Sequence, residues 1–277
     1  MTSAVILWWI LSGLSVIFVV ADWHQAPIDL TMHVGFVLIV AFMGPLGALM
    51  YVLTVREPLP GTHEAYIAPR WKQVVGSTFH CVSGDSVGIV GIAVITPWLL
   101  SRVDPTLEIV LEYAAGFLVG WLIFQALFMK DMAGGSYLKA VRSMFMPEWI
   151  SMNGVMTGMA LVMVFWMRMD ARAADPAHGD FWLMMSASLV AGAIVAYPFN
   201  WWLVARKLKH GLMSTAGQGA SHHMASHEMH ESGHDDGAHR HTSGGPAQEA
   251  HRYRSPVVWV SAASFVLALG VSYGIMH

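Results

Sequence analysis

Within one apolar stretch, Gly76-Ser77-Thr78-Phe79-His80-Cys81-Val82-Ser83-Gly84-Asp85-Ser86-Val87-Gly88, three side chains have chemistry to offer. His80 supplies an imidazole, Cys81 a thiol and Asp85 a carboxyl. All three are metal ligands or proton carriers. On a helix Cys81 and Asp85 lie one turn apart and His80 flanks them. Asp85 falls near the middle of the stretch. If the stretch crosses a bilayer, a charge there costs about 2.5–3.5 kcal/mol on insertion scales, so by default it marks function. Packing is the bland alternative: a protonated Asp85 or a hydrogen-bonded His80 can simply join helices. Ser77, Cys81, Gly84, Gly88 and Gly91 follow one another at spacings of 4, 3, 4 and 3, a face of small residues suited to close helix contact and to pairing of two copies.

Two further patterns suit soft metal ions. Met152, Met156, Met159 and Met163, continued by Met167, recur at helical spacing. Thioethers favour Cu(I), and they are also flexible apolar filler. Residues 206–256 then change composition abruptly. From His210 to His251 inclusive there are nine histidines, among them His222, His223, His227, His230, His234, His239 and His241. Aliphatic side chains larger than alanine are almost absent there, so the segment cannot build a core. His223, His227, His230 and His234 are spaced 4, 3 and 4, a single face if a bound metal folds the stretch. His-rich tracts bind zinc, nickel or copper by composition.

The elements that must position these residues are set by hydropathy. The chain has 277 residues, 55% hydrophobic and only 12% charged, with a mean hydropathy of +0.51. A soluble domain carries about 25% charged residues, so a soluble globule is excluded, as are collagen, a disulfide scaffold and general disorder. The net charge of −3 gives no basic surface for nucleic acid. The expected fold is an all-α polytopic membrane bundle. Seven segments approach the ~20 apolar residues a span needs: 4–20, 30–54, 74–99, 108–129, 149–168, 181–205 and 257–275. The first lacks a basic n-region and a small-x-small cleavage site, so it reads as a membrane helix rather than a signal peptide. This gives a six-helix domain over 1–205, a His-rich disordered loop over 206–256 and a seventh helix in 257–277. Residues 131–147 read as an amphipathic interfacial segment.

Lys and Arg set the orientation. Twelve fall in the loops 55–73, 130–148 and 206–256, against three (Arg102, Arg168 and Arg172) on the other side. The rich side reads as cytoplasmic, which for seven helices puts the N-terminus inside and the C-terminus outside. At 1.5 Å per residue, His80 lies roughly 9 Å in from the cytoplasmic end of its helix, and Gln125 and Asn153 about 6 Å in. Asn200 is similar, and Glu148 caps its helix at that face. His80, Cys81, Gln125, Glu148, Asn153 and Asn200 should therefore share one polar layer. Pro45 and Pro198 interrupt helices nearby, each freeing a carbonyl. On the external side His24, His33 and His178, with neighbouring aspartates, suggest an entry site. His33 and His80 would sit at opposite depths, which leaves paired haem ligation poorly supported.

Several stretches resemble a known family: His80-Cys81-Val82-Ser83-Gly84-Asp85, Ser151-Met152-Asn153-Gly154-Val155-Met156-Thr157-Gly158-Met159, Tyr197-Pro198-Phe199-Asn200-Trp201-Trp202-Leu203-Val204 and Lys209-His210-Gly211-Leu212-Met213. Together, over roughly 70–213, they resemble a bacterial multi-pass membrane family catalogued only as a domain of unknown function. The resemblance implies an integral protein of the bacterial inner membrane, and no particular activity.

The expectation is a protein that transports or handles a transition-metal ion, with copper favoured and zinc or nickel as alternatives. His80, Cys81 and Asp85 would form the intramembrane site, supported by Gln125, Glu148, Asn153 and Asn200. Met152, Met156, Met159 and Met163 would add soft stations, and the cytosolic histidines would buffer ions. Its partners would be lipid and metal ions, with a homo-oligomer through the small-residue face. A membrane metalloenzyme or oxidoreductase subunit, and a structural subunit whose polar layer is only packing, stay open beside it. No Walker motif, nucleophile elbow or HExxH is present, so ATP-driven pumping and hydrolysis of those kinds have no support.

Overall fold

The structure, a computed structural model, describes residues 3–28, 30–59, 61–99, 104–127, 130, 135–212 and 256–276. Its regular elements are helices: α1 (Ser3–Ala21), α2 (Leu30–Met43), α3 (Pro45–Thr54), α4 (His63–Ile67), α5 (Arg70–Leu99), α6 (Pro105–Leu118), α7 (Tyr137–Met169), α8 (Gly179–Ala205) and α9 (Pro256–Met276). α6 runs on into a π-helix over Val119–Leu127. Among the described residues six helical stretches are long and apolar enough to span: α1, α5, α6 with its π-helix, α7, α8 and α9. The protein is an all-α polytopic bundle.

The segment 30–54, expected to span, is broken. Gly44 takes φ +57°, a left-handed conformation that favours glycine. A Cβ there would lie 2.6 Å from Ser12 Oγ and 3.2 Å from the Trp8 ring. Pro45 opens α3 at its first turn, where its missing N–H costs nothing. The chain doubles back, and Gly47 packs against Ile39 and Val40. The two ends of this hairpin meet: Arg56 Nε donates to both Asp22 oxygens at 3.0 and 2.8 Å, and Tyr51 donates its hydroxyl proton to the same carboxylate at 3.2 Å. Residues 30–54 therefore enter and leave on one face. α1 also runs parallel to α8, since Trp8 donates to Ser186 at 3.1 Å and Trp9 meets Trp182. The seven expected spans become six plus a re-entrant hairpin. With the same charge assignment, residues 22–28 would join the cytoplasmic end, and α1 would begin on the side where α9 ends.

Two more expectations change. Residues 137–147 are not a separate interfacial segment but the first turns of α7, a 33-residue helix that runs through Pro147. Ser136 caps it, accepting from Lys139 N. The small-residue face of α5 closes on its own chain. A Cβ on Gly84 would lie 2.6 Å from Phe124, and one on Gly88 would strike the Ala115 carbonyl. From Ser77 to Gly88 that face is thus packed inside the protomer, whereas a Cβ on Gly91 would meet nothing within 4 Å. Gly154 and Gly158 play the same part between α7 and α8, against Ala196, Ala191 and Gly192. The Met stripe lies in this core: Met152, Met156 and Met159 are fully buried and Met163 nearly so.

Candidate functional site

The polar layer forms where α5, the π-helix, α7 and the end of α8 meet. Cys81 donates its thiol proton to Glu148 Oε2 at 3.1 Å, and Gln125 donates an amide proton to Cys81 Sγ at 2.7 Å. His80 Nε2 lies 3.3 Å from the Phe124 carbonyl. The π-helix explains why one short stretch contributes so much. Its wider turn brings Gly120, Phe124 and Gln125 to the same side, all buried against α5. π-turns are frequent at functional sites.

Asp85 and Glu148, both fully buried, are the centre of the layer. A Cβ on Gly120 would collide with Asp85 Oδ1 and lie 2.7 Å from Glu148 Oε1. The two carboxyl groups therefore face each other across the space of one methyl group. Asp85 Oδ1, Asp85 Oδ2 and Glu148 Oε1 have no donor within reach, and the two side chains become hydrogen-bond partners once one carries a proton. Like charges so close cannot both be kept without a cation.

The cation is Lys209, which the sequence alone had placed in a cytoplasmic loop. Its Nζ donates to Asn200 Oδ1 at 2.8 Å and lies 3.7 Å from Glu148 Oε2, with a side chain 3% exposed. The turn after α8 makes this contact. Lys207 adopts φ +56°, and Leu208 N returns to the Leu203 carbonyl at 2.9 Å, a helix-ending motif that reverses the chain and carries Lys209 back into the bundle. Asn200 also donates to Ser151 at 3.0 Å. Two carboxylates against one ammonium leave one negative charge. One proton shared by the pair, or one monovalent cation, neutralises it.

Asn153 belongs to a different contact. It accepts from Tyr113 at 2.9 Å and donates to Ser261 of α9 at 3.4 Å, so shared depth did not bring it to the cluster. Beside the cluster a cavity of about 20 Å³ is lined by Met32, Ser77, His80, Gln125, Lys209, His210 and Gly211. That is room for one water molecule. Among the described residues no group of three or more His, Cys, Asp or Glu is arranged to hold a metal ion. His222, His223, His227, His230, His234, His239 and His241 lie outside the described residues.

The expected external entry is divided. His24 follows Asp22 at the Arg56 end, and His33 stacks on Trp23 with ring centroids 4.2 Å apart. His178 caps α8 at the opposite end, its Nδ1 3.0 Å from Asp175. There Arg172 grips Asp170 and holds that carboxyl below its ordinary range by hydrogen bonding. The hairpin is the reason for the split. It also puts His33 at the same end as His80, since a Cβ on Gly35 would lie 3.7 Å from His80 Nδ1; opposite depth is thus no argument about haem. Sequence reasoning missed Lys209 and also Glu112, a 1% exposed carboxyl within α6. An ionisable residue inside a span was the available signal for Glu112.

The fold and this buried charge cluster define a multi-pass helical membrane protein with an ionisable centre. The profile of the family catalogued as Domain of unknown function (DUF4396) matches residues 70–209, and the chain belongs to that family. The match contains Asp85, Glu148 and Lys209. Comparison with curated proteins and with solved structures gave no match.

Proposed function

We propose that this protein moves a cation across the bacterial inner membrane, exchanging it for a proton at the Asp85–Glu148 pair, and that the cargo is a transition-metal ion with copper favoured. One observation carries the reading: two fully buried carboxyls face each other with Asp85 Oδ1, Asp85 Oδ2 and Glu148 Oε1 unpaired, and Lys209 stands beside them as counter-ion. A bilayer tolerates such a centre at a cost of several kcal/mol, which packing alone does not recover. A monovalent cation that replaces the shared proton leaves the charge unchanged. Cys81, in contact with Glu148, adds the soft ligand that favours Cu(I). His80 and His210 line the small cavity, and the His-rich segment follows His210 in the sequence, so it would collect or deliver ions for that site. For an ion to bind, Lys209 must withdraw from Glu148. It acts as a tethered cation competing with the cargo, and Asn200 holds it in readiness. The Met face belongs to the packed core, and in this reading it supplies no ligand to the ion.

A structural role is favoured by one observation, the fit of Lys209 between Asn200 and Glu148. The two readings part in proteoliposomes containing the full chain and a trapped pH dye. Exchange predicts that a Cu(I) gradient drives proton movement, and that Asp85→Asn abolishes it. Absence of cation-driven proton movement with Cu(I), Zn(II) and Ni(II) overturns the reading.

A further inference from the structure

We infer that Glu112 is a second proton-binding carboxyl, the station joining the Asp85–Glu148 centre to the opposite end of the bundle; this rests on the exchange reading above. Glu112 is 1% exposed and its Oε2 has no hydrogen-bond partner. It lies about 10 Å along α6 from Pro105, at 1.5 Å per residue, well inside the span. From Leu107 onward the buried residues of α6 are Ile109, Glu112 and Gly116, continued by Gly120 of the π-helix. They fall at spacings of 3, 4 and 4 and form one inward face.

That face leads to the centre. A Cβ on Gly116 would lie 3.1 Å from the Asp85 carbonyl and 2.7 Å from both Ile89 Cγ1 and Met152 Cε, and Gly120 borders both carboxyls. Glu112 is one turn before Gly116, and Glu108, only partly buried, is one turn further out. Carboxyl groups thus mark the α5–α6–α7 seam from the Asp104 end inward, Glu108, Glu112, then Asp85 with Glu148, and the Lys209 ammonium closes the far end. About 12 Å of α6 separates Glu112 from Gly120 at the helical rise. The tip of Met152 closes that interval, and a methionine has the flexibility to open it. With Met152 moved aside, water entering the interval carries a proton from Glu112 to the ionised partner of the Asp85–Glu148 pair, and Glu112 is reloaded from water at Glu108.

The test uses the full-length protein in proteoliposomes. Dicyclohexylcarbodiimide, which modifies protonated carboxyls reached through lipid, should add its mass to Glu112 in the wild type, read by peptide mass spectrometry. Glu112→Gln should then lower cation-driven proton flux at least tenfold at unchanged thermal stability, and Glu112→Asp should restore part of it. A buried acid kept only for packing predicts the reverse: Glu112 unmodified while Glu108 is modified, or Glu112→Gln with wild-type flux. Either result overturns the proposal. A wild type without flux overturns the exchange reading instead, and carbodiimide modification then decides Glu112 by itself.

Discussion

Replacing Lys209 by methionine examines the centre most sharply, because Met keeps an unbranched side chain close to the same length and removes the charge together with its hydrogen bond to Asn200. The Nζ–Oε2 separation of 3.7 Å gives a Coulomb attraction of about 4–5 kcal/mol at an effective dielectric of about 20. Removing one member of a buried pair costs about 3–5 kcal/mol, since the other charge is left uncompensated. Lys209→Met should therefore lower the unfolding midpoint by on the order of 10 °C in detergent. Glu148→Gln alone should cost less, because Gln still accepts from the Cys81 thiol. In Lys209→Met/Glu148→Gln most of the loss should return, with a coupling of about 2 kcal/mol or more by double-mutant cycle. The assay is thermal unfolding of purified protein, with proton flux measured on the same samples. Additive effects, with coupling below about 0.5 kcal/mol, would refute the idea that Lys209 balances the carboxyl pair.

Other outcomes follow from named contacts. Gly88→Ala should destabilise by several kcal/mol, because its Cβ meets backbone at Ala115, whereas Gly91→Ala, with nothing within 4 Å, should be neutral or gain about 0.5–1 kcal/mol of helix propensity; equal effects contradict the α5–α6 packing. A periplasm-only reporter fused before Ser3 should be active and one fused after Asp22 inactive, and the opposite pair of results rejects the re-entrant hairpin. A peptide of residues 219–243 should gain helix or turn structure on adding zinc or copper, by circular dichroism; a flat response with no calorimetric heat at micromolar metal reduces the loop to a linker.

The layer was legible in the sequence because helical rise converts residue number into depth. Cys81, Gln125, Glu148 and Asn200 meet, as one shared depth requires, directly or through Lys209. Lateral position is not encoded in depth, and Asn153 accordingly faces α9 instead. Lys209 was hidden by a turn: a lysine just past an apolar helix reads as a solvated loop cation, and only the left-handed Lys207 turns it inward. Glu112, with Glu108 one turn before it, lies away from the depth of the polar layer, so the depth argument did not reach it. The hairpin was missed because Pro45 reads as a kink in a continuous span. The decisive residue is Gly44, whose positive φ sends the chain back, and a glycine in sequence does not declare its φ. The π-helix leaves no mark in hydropathy, yet it presents Gly120 and Gln125 together.

The central claim is that Asp85 and its surroundings handle a metal cation rather than merely pack. Cellular copper accumulation, measured at matched protein levels, tests it most directly. Asp85→Asn preserves shape and hydrogen bonding but removes the acid, and should abolish protein-dependent accumulation with folding near normal. His80→Ala should lower accumulation by narrowing the choice of ligands at the small cavity. Wild-type accumulation in both variants would contradict the account.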